Sequence, residues 1–285
     1  MPFTLFNNLY QQKKAKLKYI MGKLSAQLFP TRTKHLKKTF SVPNFTTASP
    51  FQHRIDTMIH HYLVQHKINQ EQTEHGSMEN AHRQYWSQNR SYFSDFDHLA
   101  QDSYIPVYQD IVHNLVPYLQ DMEIRRVNEF GTGDGQWLDY LSQQWPFITQ
   151  FTGIDISDYQ IQQNRLAFSH LEFATADLLT WTQQNATPQT LYHTNGGVLE
   201  YLCEDSVRAL FTTLKQQAPR SLIFLNEPVY DNFDYAVDTN SRIAGAEFTY
   251  NHNYDYLFAA TELTMIRCEE RNAFGYRVIT AIGRT

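Results

Sequence analysis

Cysteine is scarce in this chain of 285 residues: there are two, Cys203 and Cys268. They lie far apart and lack metal-ligand spacing, so a disulfide scaffold and a thiolate metal cluster are both excluded. Free thiols in a reducing compartment are expected instead. Long apolar runs are also missing, which excludes a membrane-spanning helix. The first ten residues lack a charged segment followed by an apolar block, so no secretory leader is expected. The most telling shortage is of negative charge. Met1 to Arg54 hold ten Lys or Arg and no Asp or Glu, whereas the remainder carries 14 basic and 29 acidic residues. A basic arm and an acidic body are thus different electrostatic objects on one chain.

What is present is concentrated in Val127-Asn128-Glu129-Phe130-Gly131-Thr132-Gly133-Asp134-Gly135. The segment reads as a strand, a glycine turn and the start of a helix. Glycines at alternating positions let the backbone approach a ligand with no Cβ in the way. The helix that follows offers its free N–H groups and the positive end of its dipole. Glu129, just before the turn, suits a cationic, amino-bearing ligand better than a dinucleotide phosphate.

Around this turn the chain alternates strands and helices. Strands are expected at Arg125 to Phe130, Phe151 to Ile156, Leu171 to Ala174, Thr190 to Thr194 and Ser221 to Asn226. Helices are expected at Tyr104 to Leu119, Gln136 to Gln144, Asp158 to Ala167, Leu178 to Gln183 and Glu204 to Gln217. Such alternation implies a parallel sheet covered by helices on both faces. The pattern breaks at the end, where Glu262 to Glu269 and Tyr276 to Ile282 read as two strands joined by Asn272-Ala273-Phe274-Gly275. Upstream, residues 4 to 29 show helical periodicity, with Leu17, Ile20, Met21, Leu24 and Leu28 on one face and Pro30 as the stop. A basic connector to Pro50, a helix from Arg54 to His66 and a polar linker from Asn69 to Gly76 follow. Residues 1–76 are therefore read as a basic helical arm and 77–285 as the α/β domain. Within the latter, 77–120 form aromatic-rich cover helices and 227–260 an insert.

Acidic and small residues stand at the carboxyl end of each expected strand. Asp155 follows the last glycine by twenty residues, where a carboxylate can accept ribose hydroxyls. Asp177 and Leu178 end the third strand, and Asn195-Gly196-Gly197 the fourth. This ordered set resembles the class I S-adenosylmethionine-dependent methyltransferases from about Ser103 to Thr285. The resemblance implies a Rossmann-like, doubly wound, seven-stranded α/β sheet, mostly parallel with a C-terminal antiparallel hairpin, plus an N-terminal helical extension. It implies S-adenosylmethionine as cofactor. Glu129 would hold the methionine amino group, Gly131 and Gly133 would pass under the methionine moiety, and Asp155 would bind the ribose. Asp177 and Leu178 would meet the adenine, and Asn195 and Gly196 would border the methyl donor. Thr190 stands where many family members begin the fourth strand with Asp. A nicotinamide-binding fingerprint would require a third glycine at Gln136 and would explain neither Glu129 nor the final hairpin.

The expected acceptor is a polar small molecule or a glycan, methylated on oxygen. A hydroxyl needs a base. The insert offers His252, whose ordinary pKa is near neutrality, and Glu227, which could instead cap a helix. No metal site is expected; His193 is read as packing within a strand, and His60, His61 and His66 lack supporting ligands. Tyr85, Trp86, Tyr92 and Phe93 are read as a lid or as a fastening for the N-terminal helices. The arm, residues 1–54, has three readings: an amphipathic helix on an anionic membrane surface, a polyanion site such as RNA, or a docking element for the acidic body or a partner subunit. A cytoplasmic location is expected, at the inner face of a membrane if the first reading holds. An RNA methyltransferase and a catalytically silent methyltransferase-like module are the alternative functions.

Overall fold

The computed structural model describes residues 17–39, 49–71, 74, 76–88, 105–229, 233–244, 249–273 and 276–285. Residues 4–16 of the expected first helix, Tyr92, Phe93, Tyr104 and the turn residues Phe274 and Gly275 lie outside this set. The chain forms two compact units. One runs through Met78 and includes Ile243–Thr249; the other comprises Glu79–Arg242 and Tyr250–Thr285.

In the first unit residues 17–28 are helical (α1). They are followed by α2 (Pro30–Thr39) and α3 (Pro50–Glu71). Pro30 therefore opens a helix as well as ending one, and the expected connector contains α2. The reason is positional: proline's fixed φ and missing N–H are tolerated in the first turn. α3 extends past both expected ends and into the expected linker. Arg32 grips Asp56 with two hydrogen bonds, 2.8 and 2.6 Å, joining α2 to α3.

α4 (Ser77–Gln88) crosses the unit boundary. The second unit then builds α5 (Ile105–Asp121), β1 (Arg126–Phe130), α6 (Gln136–Gln144), β2 (Gln150–Asp155), α7 (Asp158–Ala167), β3 (Glu172–Thr175), α8 (Leu178–Asn185), β4 (Thr190–Asn195), α9 (Glu204–Gln217) and β5 (Leu222–Val229). The insert holds β6 (Arg242–Ala244), β7 (Thr249–Asn251) and α10 (Tyr254–Ala260), and β8 (Thr264–Ala273) and β9 (Tyr276–Arg284) close the sheet. The seven strands run β3-β2-β1-β4-β5-β9-β8. β1 to β5 are mutually parallel, and β9 is antiparallel to both β5 and β8. The strand order reverses at β1, which pairs with β2 on one side and β4 on the other. Open sheets bind ligands outside the carboxyl ends of strands at such a switch point.

Alternation along the buried strands divides the core in two, as a period of two requires. Leu191, Leu222, Phe224 and Val278 join α5 and α6 through Leu115, Trp137 and Leu141. Their chain neighbours Tyr192, Ile223, Leu225 and Ile279 join α9 and α10 through Phe211, Leu214 and Phe258. Two expected boundaries are corrected. Glu262, taken as the start of a strand, sits in a turn after α10 with φ of 59°. Glu227 is not in a loop, because β5 continues through Val229 in register with β9.

Candidate functional site

The cavity lies where the carboxyl ends of β1, β2, β3 and β4 meet α4. Its wall includes Glu129, Gly131, Gly133, Asp155, Asp177, Leu178, Asn195 and Gly196, so all eight residues assigned to the cofactor from the sequence line one space. Glu79, Arg83 and Trp86 of α4 also line it, as do Thr132, Trp137, Val198, Tyr201 and Leu202.

The glycine turn is held from three directions. Gly131 and Gly133 have φ of 64° and 53°, a region that L side chains rarely adopt. A Cβ on Gly131 would also meet Val198 Cγ2 at 2.5 Å. The Gly133 N–H donates to Asp155 Oδ2 (3.1 Å), while Asn164 Nδ2 donates to the Gly133 carbonyl (2.7 Å). Asp155 Oδ1 accepts from Ser157 N at 2.9 Å. A carboxylate offers about four acceptor sites, so Asp155, which takes backbone N–H groups from Gly133, Ser157 and Ile156, can brace the turn and still accept a ligand hydroxyl. The Thr132 hydroxyl donates to Glu129 Oε2 at 2.8 Å. Thr132 fits because β2 carries Gly153 opposite it: a Cβ there would lie 2.7 Å from Thr132 Oγ1.

The wall is strongly acidic. Among the described residues that line it, Glu79, Glu129, Asp134, Asp155 and Asp177 face a single arginine, Arg83. Arg83 is already engaged, at 2.7 Å from Glu79 and 3.0 Å from Asp177. Asp177 also caps α8 by accepting from Thr180 N at 3.1 Å. Burial pushes the Glu129 carboxyl well above its ordinary range, with neighbouring Asp134 and Asp155 adding to the rise and Thr132 opposing it. Burial raises Asp155 too, against the backbone N–H groups that favour its charge. The cradle holds more carboxylates than Arg83, paired with Glu79 and Asp177, can balance, which suits a positively charged ligand.

His252 and Glu227 do not line this cavity, which corrects their assignment as wall-facing bases. No other described residue of the 227–260 insert lines it either. Both hold the backbone of one segment that does. Glu227, fully buried, accepts at Oε2 from Val198 N (2.9 Å), Leu199 N (3.1 Å) and Glu200 N (3.4 Å). It thereby caps the short 3-10 helix Leu199–Tyr201. His252 contacts the Leu199 carbonyl through Nε2 (2.9 Å) and Ser241 Oγ through Nδ1 (2.7 Å). The carbonyl can only accept, so Nε2 carries the proton and Nδ1 accepts from the serine. Burial lowers the His252 pKa to about 4, keeping the ring neutral. His193, packed in β4 as expected, accepts from Trp137 Nε1 at 2.7 Å and donates to the Phe224 carbonyl.

Sequence reasoning passed over Glu79, Arg83, Thr132, Trp137 and Leu202. Glu79, Arg83 and Trp86 follow i, i+4, i+7 spacing, so one face of α4 meets the cavity. That spacing was readable, but its target was not.

No protein-family model and no curated protein sequence matches the chain. Solved structures do. A methyltransferase dependent on S-adenosylmethionine from Leishmania major is similar at 13% identity and TM-score 0.55, over 73% of this chain and 83% of its own. Magnesium protoporphyrin IX methyltransferase from Synechocystis with bound S-adenosylmethionine is similar at 15% identity and TM-score 0.51, over 73% and 98%. The strand order, the closing antiparallel hairpin and these likenesses give the chain the fold of the class I S-adenosylmethionine-dependent methyltransferases.

Proposed function

We propose that this chain is an S-adenosylmethionine-dependent methyltransferase acting on a polar small molecule or glycan. The observation that carries the reading is the cradle: a positive-φ glycine turn, Glu129 and Asp155 converge with three further carboxylates on one cavity at the switch point. That donor set fits the cofactor group by group. Glu129 would take the amino group, the spare acceptor site of Asp155 a ribose hydroxyl, and Asp177 with Leu178 the adenine edge. When bound, the cofactor supplies an electrophilic methyl carbon beside a positive sulfur. The remaining work belongs to the chain. Gly131 and Gly133 leave room for close approach, Asn195 and Gly196 border the reacting end, and Trp86, Tyr201 and Leu202 exclude water. Holding an acceptor in line in such a site is worth roughly 7–11 kcal/mol.

Calorimetry with S-adenosylmethionine tests the cofactor, and labelled-methyl transfer over fractionated small molecules, glycans and RNA tests the acceptor. Binding by the parent but not by Asp155→Ala supports the reading; no binding by either refutes it. Label in the RNA fraction alone would select an RNA methyltransferase. Binding with every fraction unlabelled would select a silent module. The labelled product reports whether the methyl group sits on oxygen or nitrogen.

A further inference from the structure

The periodicity of the first helix gives it one apolar face. The structure leaves that face uncovered. α1 lies on α3 through its small face: Gly22 and Ser25 are buried there. A Cβ on Gly22 would collide with the Met58 carbonyl oxygen and meet Tyr62 Cβ at 2.7 Å. Tyr19 packs on the Tyr62 ring, with centroids 5.3 Å apart. Because glycine lets the backbones of α1 and α3 approach so closely, the orientation of α1 is fixed. The stripe is left outward, with Leu17 61%, Ile20 47%, Met21 44%, Leu24 50%, Leu28 74% and Phe29 40% exposed. An apolar stripe on a helix is normally covered.

The charge around the stripe says what covers it. Lys18 and Lys23 on α1, and Lys34 and Lys37 on α2, are exposed. Residues 1–54 contain no acid. The next carboxylate, Asp56, is buried and held by Arg32 at 2.6 Å, so it does not offset these lysines at the surface. The partner must therefore be apolar and anionic at once. A nucleic acid would satisfy the lysines and leave the leucines in water. A second copy would cover the leucines by bringing two acid-free arms together. An anionic lipid surface answers both demands, because an amphipathic helix buries its apolar face at the acyl boundary while its lysines meet the headgroups.

We propose that α1 is a membrane-docking helix. It seats Leu17, Ile20, Met21, Leu24 and Leu28 in an anionic bilayer surface and holds the protein there peripherally. This does not depend on the methyltransferase reading, and its test needs no cofactor. The full chain is sedimented with phosphatidylcholine vesicles, with and without phosphatidylserine, at low and high salt. The expected result is retention on the phosphatidylserine vesicles that weakens with salt. Leu24→Ser with Leu28→Ser should lower that retention by about tenfold or more. Lys18→Glu with Lys23→Glu should lower it and reduce its salt dependence. Circular dichroism of each variant checks that the helices persist. Equal retention on both vesicle types, or on neither, overturns the proposal. So does a concentration-dependent dimer abolished by the leucine pair, or retention on RNA that the leucine pair leaves unchanged.

Discussion

Replacing Glu227 by glutamine separates a base from a clamp. The carboxyl is fully buried and accepts three backbone N–H groups at one oxygen. Burial nevertheless lifts its pKa from 4.5 to about 6. A carboxyl whose folded pKa lies above its unfolded one favours the folded state fully below the unfolded value, and loses that advantage as pH rises through the folded value. The window is thus pH 4.5 to about 6, and the loss across it is about 2 kcal/mol. A glutamine carbonyl can accept the same three N–H groups and never ionises. Glu227→Gln should therefore match the parent near pH 4.5 and exceed its stability by about 2 kcal/mol above pH 7. Urea unfolding of both proteins across this range supplies the difference curve, which cancels every other titrating group. Parallel curves for parent and variant would refute the assignment. Methyl transfer gives a second readout. A clamp survives the change to glutamine and fails with alanine, which leaves three N–H groups short of an acceptor; a base fails with both.

Other outcomes follow from the same geometry. His193 and His252 are both lowered to about 4 by burial. Their stabilising contribution is complete above the ordinary histidine value and disappears as pH falls toward 4, so stability should drop steeply below pH 6.5; His252→Gln should make that drop shallower in urea titrations. Gly131→Ala should weaken S-adenosylmethionine binding at least tenfold, since its Cβ would meet Val198 at 2.5 Å and its φ is 64°. Adding Val198→Ala should restore only part of that affinity by calorimetry, because it relieves the contact and leaves the backbone cost. Burial raises the Glu129 carboxyl well above its ordinary range, and a cationic ligand favours its ionised form. Binding should therefore release a proton and tighten as pH rises, and calorimetry in buffers of different ionisation enthalpy should show that release vanish in Glu129→Gln.

Much of the fold was legible because its signals are local. α6, α7 and α9 begin and end where the alternation read from the sequence places them. Ser157 and Asp177 cap α7 and α8 through their own side chains. The glycine turn and the carboxylates after β1, β2 and β3 were legible for a related reason: in a parallel sheet every strand delivers its carboxyl end to the same edge. Strand order then decides only which ends are neighbours, and the reversal at β1 brings β1, β2 and β4 to one crevice. The chemistry of the cradle is in this sense determined by the sequence.

Tertiary structure decided three things that no window of sequence contains. His252 and Glu227 are chemically competent bases, yet they sit 53 and 28 positions from Leu199, whose backbone both engage. Only the packing of the insert and β5 turned them from wall groups into supports. Arg83 meets Asp177 across 94 positions of chain, so the neutralised acidic edge was invisible before α4 was placed. The apolar stripe of α1 faces outward because Gly22 admits α3 on the opposite side. Periodicity specifies that a helix has two faces. Which face is covered depends on the backbone that comes to lie against it, and that contact forms only in the folded chain.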